Sequence, residues 1–383
     1  MYQVVFLGVS FLCGVILVLR EPCGATLTGM SYFFVSQSRL RTALWAREIN
    51  ISRELDGQLM GTDEYNPDNI VEVSRATLDQ VQKATGFDEK FFTQEALDLP
   101  NVHMLRNIDR QPESDEQHML QAHVALATEL QRVLRQKFTY PTPDLPSLAG
   151  HDPLHAAQEV RRRWNLTQPR IPNIIQLLES KGVSVFGLPY GTYNSFWASI
   201  GDFPCVFLSL DVPAEGVRVA VARHLGHLLL FPGGQHGGED VQKQLADFVF
   251  EFLVPGDFLR GFIREASLYR EFVRVAEGFR VPVQVVIHQA YELELIDYGR
   301  FLELSNRDAK QGTSLGVPYE RSRVFDTVIA MEKGIGTLVR TTRIPKDIIG
   351  TLMLGAYPTA VFDGSERELR LPGTSSANLY VVT

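Results

Sequence analysis

Apolar residues recur at helical spacing through much of this chain. From Val217 to Leu230 they fall on almost every face, with small residues interleaved and no proline, until Phe231-Pro232-Gly233-Gly234 ends the run. A second helix is predicted from Glu239 to Leu253, with Pro255 as its stop. Glu113 to Lys137 reads as one long amphipathic helix carrying Leu120, Val124, Leu126, Leu130 and Leu134 at apolar positions. Shorter helical patterns cover His155–Trp164, Ile174–Lys181, Phe258–Val273, Phe279–Leu293, Asp326–Lys333 and Lys346–Leu354. Two β-branched or aromatic runs, Val183–Leu188 and Cys205–Leu210, read as strands. Arg300–Arg323 is polar and reads as a loop-rich connection, and Gly364–Ser376 as a Gly- and Ser-rich tail. The expected fold class is α+β, predominantly helical.

Length changes this picture by allowing several units, since 383 residues exceed one ordinary core. The Pro-rich stretch Tyr140–Asp152 reads as an inter-domain linker. The expected organisation is an apolar N-terminal segment at 1–29, a helical domain at 30–95, a helix and linker at 96–150, a second domain at 151–310, and a C-terminal helical region with tail at 311–383. The apolar run Val4–Leu19 is short for a bilayer span and lacks a basic leader. It reads as sequence upstream of a start at Met30, which leaves a cytoplasmic protein; the alternatives are a membrane anchor at residues 4–19 and an uncleaved signal-like segment.

Charge and cysteine content narrow the function classes. A formal net charge of −8 argues against a non-specific grip on nucleic acid, which depends on neutralising phosphates. Cys13, Cys23 and Cys205 have no metal-ligand spacing, and neither a phosphate-binding Gly loop nor a nucleophile elbow is present.

The segment Ala222-Arg223-His224-Leu225-Gly226-His227, followed by Leu228-Leu229-Leu230 and by the second helix ending Phe252-Leu253-Val254-Pro255, resembles the active-site helix pair of the ImmA/IrrE metallopeptidases. That family carries AHELGHLLL and then ExxANxFAxxLLxP. Phe279–Leu293 resembles a further family segment, and Asn194-Ser195-Phe196-Trp197 another. Upstream, Ser38–Trp45, Ser52–Leu55 and Leu78–Phe87 with Phe91-Phe92 resemble the XRE-type helix-turn-helix domain that often precedes it. The resemblance implies a helical N-terminal domain, a zincin-like domain, and a bacterial or phage-encoded regulator that cuts a repressor or senses a ligand. In the XRE pattern the recognition helix falls on Thr62–Val73, which carries Asp63, Glu64, Asp68 and Glu72 and no Lys or Arg, so it would repel phosphate. Arg39, Arg41 and Arg47 remain for weak backbone contacts, and DNA binding stays an open alternative.

Chemistry is where the resemblance breaks. The family's first zinc ligand falls on Arg223, its general base on His224 and its second ligand on His227; its carboxylate ligand falls on Gln242. A guanidinium keeps its charge in proteins, so Arg223 sets a fixed cation where a divalent ion would be caged. The reading is a metallopeptidase frame with no catalytic residues and no cofactor, acting as a regulator that binds a peptide, repressor-like protein, small ligand or second copy of itself. Arg223 is expected to pair with Glu239 or Asp240. The alternatives are an active zinc enzyme using His224 and His227 with His236, Glu239 or Asp240, and a sequence-specific DNA-binding repressor. His288 reads as structural. The alignment predicts that Arg223→His, His224→Glu and Gln242→Glu together create a zinc site; a folded triple variant that takes up no zinc after dialysis would show the helix pair to be misaligned.

Overall fold

The computed structural model describes residues 32–49, 70–97, 102–103, 114–189, 195–232, 238–312 and 315–355. The fold is α+β and mostly helical. Contacts divide it into two units. Among the described residues the first holds 32–97, 114–139 and 332–349, and the second holds 102–103, 140–331 and 350–355. The C-terminal region expected at 311–383 is therefore not one block. Its residues 315–331 belong with the second unit and 332–349 with the first.

In the first unit, β1 (Tyr32–Ser36) pairs antiparallel with β2 (Ile70–Ser74). Helix α1 (Gln37–Trp45) follows β1 directly, and α2 (Arg75–Thr85) follows β2. Ser74 caps α2 by accepting from the Thr77 amide at 3.1 Å, and Gly86 ends it in the left-handed region at φ 77°. The short α3 (Glu89–Phe92) buries Phe91 and Phe92 beside Phe87. The long α4 (Ser114–Lys137) packs on α1, burying Leu120, Val124, Leu126, Leu130 and Leu134.

Two expectations for this unit change. Ile70–Val73, placed on the recognition helix by the XRE resemblance, is strand; its β-branched residues pair with β1, while Ser52–Leu55 and 62–69 lie outside the described residues. Arg39 and Arg47 are also occupied internally. Arg39 is buried, donates to the Glu95 carbonyl, pairs with Glu129 and stands over the Phe91 ring. Arg47 donates to the Thr85 carbonyl and forks onto Asp347.

The second unit is built on a four-stranded sheet in the order β3-β5-β6-β4 (Val102–His103, Phe196–Ile200, Phe203–Leu208, Ser184–Gly187). β4 and β6 are parallel, and the other pairings are antiparallel. Helix α5 (Pro153–Arg163) and α6 (Ile174–Ser180) precede β4, and α7 (Ala214–Leu230) follows β6. α7 is apolar nearly all round because neighbours enclose it: β6, α5, α6 and α8 (Glu239–Leu253) all pack against it. The α7–α8 crossing closes at Gly226, where a Cβ would lie 2.7 Å from the Phe248 ring.

Polar groups then knit α8 to its surroundings. Glu251, 4% exposed, accepts from Gln158 on α5, from the Gly256 amide that opens α9 (Gly256–Phe262), and from Gln289, each at 3.0 Å. Beyond α9 come α10 (Tyr269–Phe279) and α11 (Val283–Glu292), so Phe258–Val273 is two helices separated by a break around Arg264–Leu268. α12 (Tyr298–Gln311) is helical where a loop was expected; Asp297 caps it, and its inward face needs only Leu304 among its buried residues, too thin an apolar stripe to read from sequence. α13 (Arg323–Glu332), α14 (Gly336–Thr342) and α15 (Lys346–Leu352) complete the chain.

Two connections that read as linker or loop are laced to the second unit. In 140–152, Asp144 accepts from Arg163 and Lys181, and the Leu148 amide donates to the Leu229 carbonyl at the end of α7. In 315–322, Tyr319 donates to the Val212 carbonyl, and Glu320 accepts from the Ile174 amide and from Arg218, a buried arginine on α7. No helix among the described residues is long and apolar enough to cross a membrane, and residues 4–19 lie outside them. Gly226→Ala should gain about 1 kcal/mol of helix propensity but lose about 1–3 kcal/mol to overpacking against Phe248. A lower urea midpoint checks this; an unchanged or raised midpoint would show that the two helices do not close there.

Candidate functional site

The residues that the motif singles out all lie on α7 and the first turns of α8. Arg223 and His227 are four apart and share one face of α7, and His224 lies one turn before His227 on an adjoining face. The structure therefore gathers Arg223, His224 and His227. It does not bring Glu239 and Asp240 to them.

Arg223 is half-buried and has neither an ion pair nor a hydrogen bond to any described residue. Burial alone pushes its pKa below the usual arginine value, with no carboxylate opposing the shift. The expected pairing with Glu239 or Asp240 is thus corrected. Both acids are exposed in the first turn of α8, where a negative charge faces the unsatisfied amides of a helix start. Gln242 is half-buried one turn further in, and His236 lies outside the described residues.

His227 is fully buried, and its Nδ1 accepts from Trp197 Nε1 at 3.0 Å. An indole N–H can only donate, so Nδ1 carries a lone pair and the neutral ring holds its proton on Nε2. A zinc-bound histidine has the opposite arrangement: one ring nitrogen gives its lone pair to the metal and the other donates its N–H. His227 has the Trp197 and Phe231 rings beside it, with centroids at 5.9 and 5.6 Å. The Trp197 hydrogen bond and the two neighbouring rings hold its orientation.

His224 is 3% exposed, and its Nδ1 has no hydrogen-bond partner. Burial, then the charge of Arg223 and then His227, lowers its pKa from 6.5 to about 3. It is neutral near neutral pH. Among the described residues no three His, Cys, Asp or Glu side chains gather as a metal cage. An unpaired cation, a histidine whose Nδ1 lone pair is already taken, and a neutral Gln242 are a donor set that does not fit a zinc ion of the His₂Glu kind.

Sequence reasoning missed Trp197 as the residue that sets the state of His227. Its only sequence signal was its place in the segment Asn194–Trp197 ahead of a strand. The sheet edge beside Trp197 is already occupied. Trp197 pairs with His103 and Ala198 with Val102, so the side of β5 that could accept an extended peptide carries the chain's own β3. At the other edge, Gly187 of β4 lies so close to the Thr351 carbonyl that no side chain would fit. His288 stacks on Phe250 and lies edge-on to Phe301.

No family model matches the chain, and neither the curated proteins nor the solved structures provide a match.

The buried histidine sets a pH dependence. In the unfolded chain His224 takes up a proton below about 6.5, whereas in the folded state it does so only near 3, so the folded state loses stability as pH falls through that window. The slope is about 1.4 kcal/mol per pH unit for one such group. Urea midpoints measured for the parent chain and for His224→Asn at neutral pH and about two units lower should show a smaller acid loss in the variant. Equal losses in both would mean that His224 is not held neutral.

Proposed function

We propose that this protein is a regulator-like chain whose second unit has the frame of an ImmA/IrrE-type peptidase and acts by binding rather than by hydrolysis. The observation that carries this reading is the Trp197–His227 hydrogen bond. It commits the remaining ring nitrogen of His227 to an N–H, while the neighbouring position on the same face is a permanent cation. Hydrolysis by a zinc-bound water needs open lone pairs and a carboxylate base. Arg223 offers no lone pair, and none of Arg223, His224 and Gln242 supplies the carboxylate.

A binding role is consistent with the rest of the second unit. α7 is enclosed by packed neighbours and its end is held by the Leu148–Leu229 hydrogen bond, so the residues at its centre are presented rigidly. The occupied β3–β5 pairing argues that a partner is met through side chains of α7 rather than by strand addition. In the first unit, the internal use of Arg39 and Arg47 leaves them no role in holding a phosphate backbone.

Metal analysis tests the reading directly. Full-length protein purified without chelator and dialysed should hold far less than about one zinc per chain and should not cleave unstructured peptides. Stoichiometric zinc that survives dialysis and is lost in His227→Ala would overturn it. Trp197→Phe frees Nδ1 of His227, so any zinc uptake should rise in that variant relative to the parent chain.

A further inference from the structure

Folded chains rarely leave large aromatic side chains open to water in one connected group, and where they do the group marks a surface that meets something else. Such a group lies on α8, α11 and α12 of the second unit. On α8, Lys243, Asp247 and Phe250 follow one another at helical spacing, and the half-buried Phe250 stacks on His288 of α11 with centroids 5.5 Å apart. His288 meets Phe301 of α12 edge-on at 4.8 Å, and Phe301 continues to Tyr291 at 4.9 Å and to Tyr298 at 6.2 Å. The rings thus form one unbroken row. Tyr298 is 59% exposed, and Leu302, four residues on and therefore on the same face of α12, is 41% exposed.

The rim of the row is acidic. Glu292 and Glu294, both exposed, have no ion pair among the described residues, and Asp247, Asp297 and Glu303 add further carboxylates. Glu292 is close enough to act on the charges of Lys243 and His288. The cations beside the row are outnumbered and engaged: Lys243 pairs with Asp247, Arg300 with Glu303, and Arg260 donates to the Leu293 carbonyl. Burial holds the His288 pKa below the usual histidine value against the pull of Glu292, so at neutral pH its ring adds no positive charge. We infer that this face binds a basic segment of a partner protein, with arginine or lysine groups set over the rings and apolar side chains beside Tyr298 and Leu302. The negative faces of aromatic rings attract a cation, and the carboxylates around them attract the same charge. Phosphate would be repelled by that rim, which argues against nucleic acid. A second copy docking by the same face would bring two acidic rims together. No member of the row is on α7, so the surface stands whether or not the α7 site is silent.

The test uses full-length protein and a dye-labelled, blocked peptide in which arginine alternates with leucine, read by fluorescence anisotropy. Binding should saturate, should weaken as salt is raised, and should be absent for the matching peptide with glutamate in place of arginine. Tyr298→Ala should weaken it about three- to fivefold, the worth of one cation–π contact at an exposed site, while Tyr298→Phe keeps the ring and should bind like the parent. Glu292→Lys with Glu294→Lys should weaken it by reversing the rim. Tyr298, Glu292 and Glu294 are exposed, so their variants should keep the parent melting temperature, which separates lost binding from lost folding. No saturable binding of the basic peptide, equal binding in Tyr298→Ala, or equal binding of the acidic peptide would overturn the inference. So would a dimer in sedimentation that Tyr298→Ala dissolves, which would give the face to a second copy. A zinc-free chain that ignores the basic peptide sinks this inference alone; a chain that holds zinc sinks the α7 reading and leaves this surface untouched.

Discussion

One hydrogen bond decides what the centre of the second unit can do. Trp197 reaches from the sheet to the main buried helix, and because an indole can only give a proton, His227 must receive one at Nδ1. Everything about the ring follows from that direction. Its remaining nitrogen is a donor, the Trp197 and Phe231 rings lie beside it, and the Nδ1 lone pair is already committed. A histidine in the right place is therefore not by itself a ligand.

That local chemistry depends on a rigid surround. Helix 214–230 is enclosed by the sheet and three helices, and the crossing with helix 239–253 is close enough that Gly226 touches the Phe248 ring without room for a methyl group. Glu251 gathers donors from three further segments onto two carboxylate oxygens, which fixes the C-terminal end of helix 239–253. The buried pair of Arg218 and Glu320 does the same for the start of helix 214–230, joining it to the strap at 315–322. Breaking such a pair from one side leaves a buried charge exposed to an apolar interior, so these contacts specify geometry more than they add stability. Arg223 differs from all of them, because it is half-buried and no described carboxylate pairs with it.

The corrections share a physical origin. Residues 140–152 and 315–322 have the composition of linkers, rich in proline or polar groups, and both are ordered by hydrogen bonds to distant backbone. Composition reports what a segment can do alone and says nothing about whether a distant carbonyl lies within reach. Helix 298–311 was missed for a related reason: with Leu304 as its one buried residue, it is held by its Asp297 cap and packing on helix 283–292 rather than by a wide apolar stripe.

Sequence by itself determined the α+β, mostly helical class, the two helices that carry the motif, the long helix at 114–137 and the strands at 184–187 and 203–208, because each carries its periodicity or stop signals locally. It also determined that a fixed cation stands at Arg223, since that charge belongs to the residue whatever surrounds it. Tertiary structure alone decided that Glu239 and Asp240 do not answer it, that Ile70–Ser74 is strand, that Arg39 and Arg47 are spent inside the first unit, and that Trp197 governs His227. Each of these is a pairing between residues far apart in the chain. Donor direction, burial and reach are properties of the pair, and no single stretch of sequence contains them.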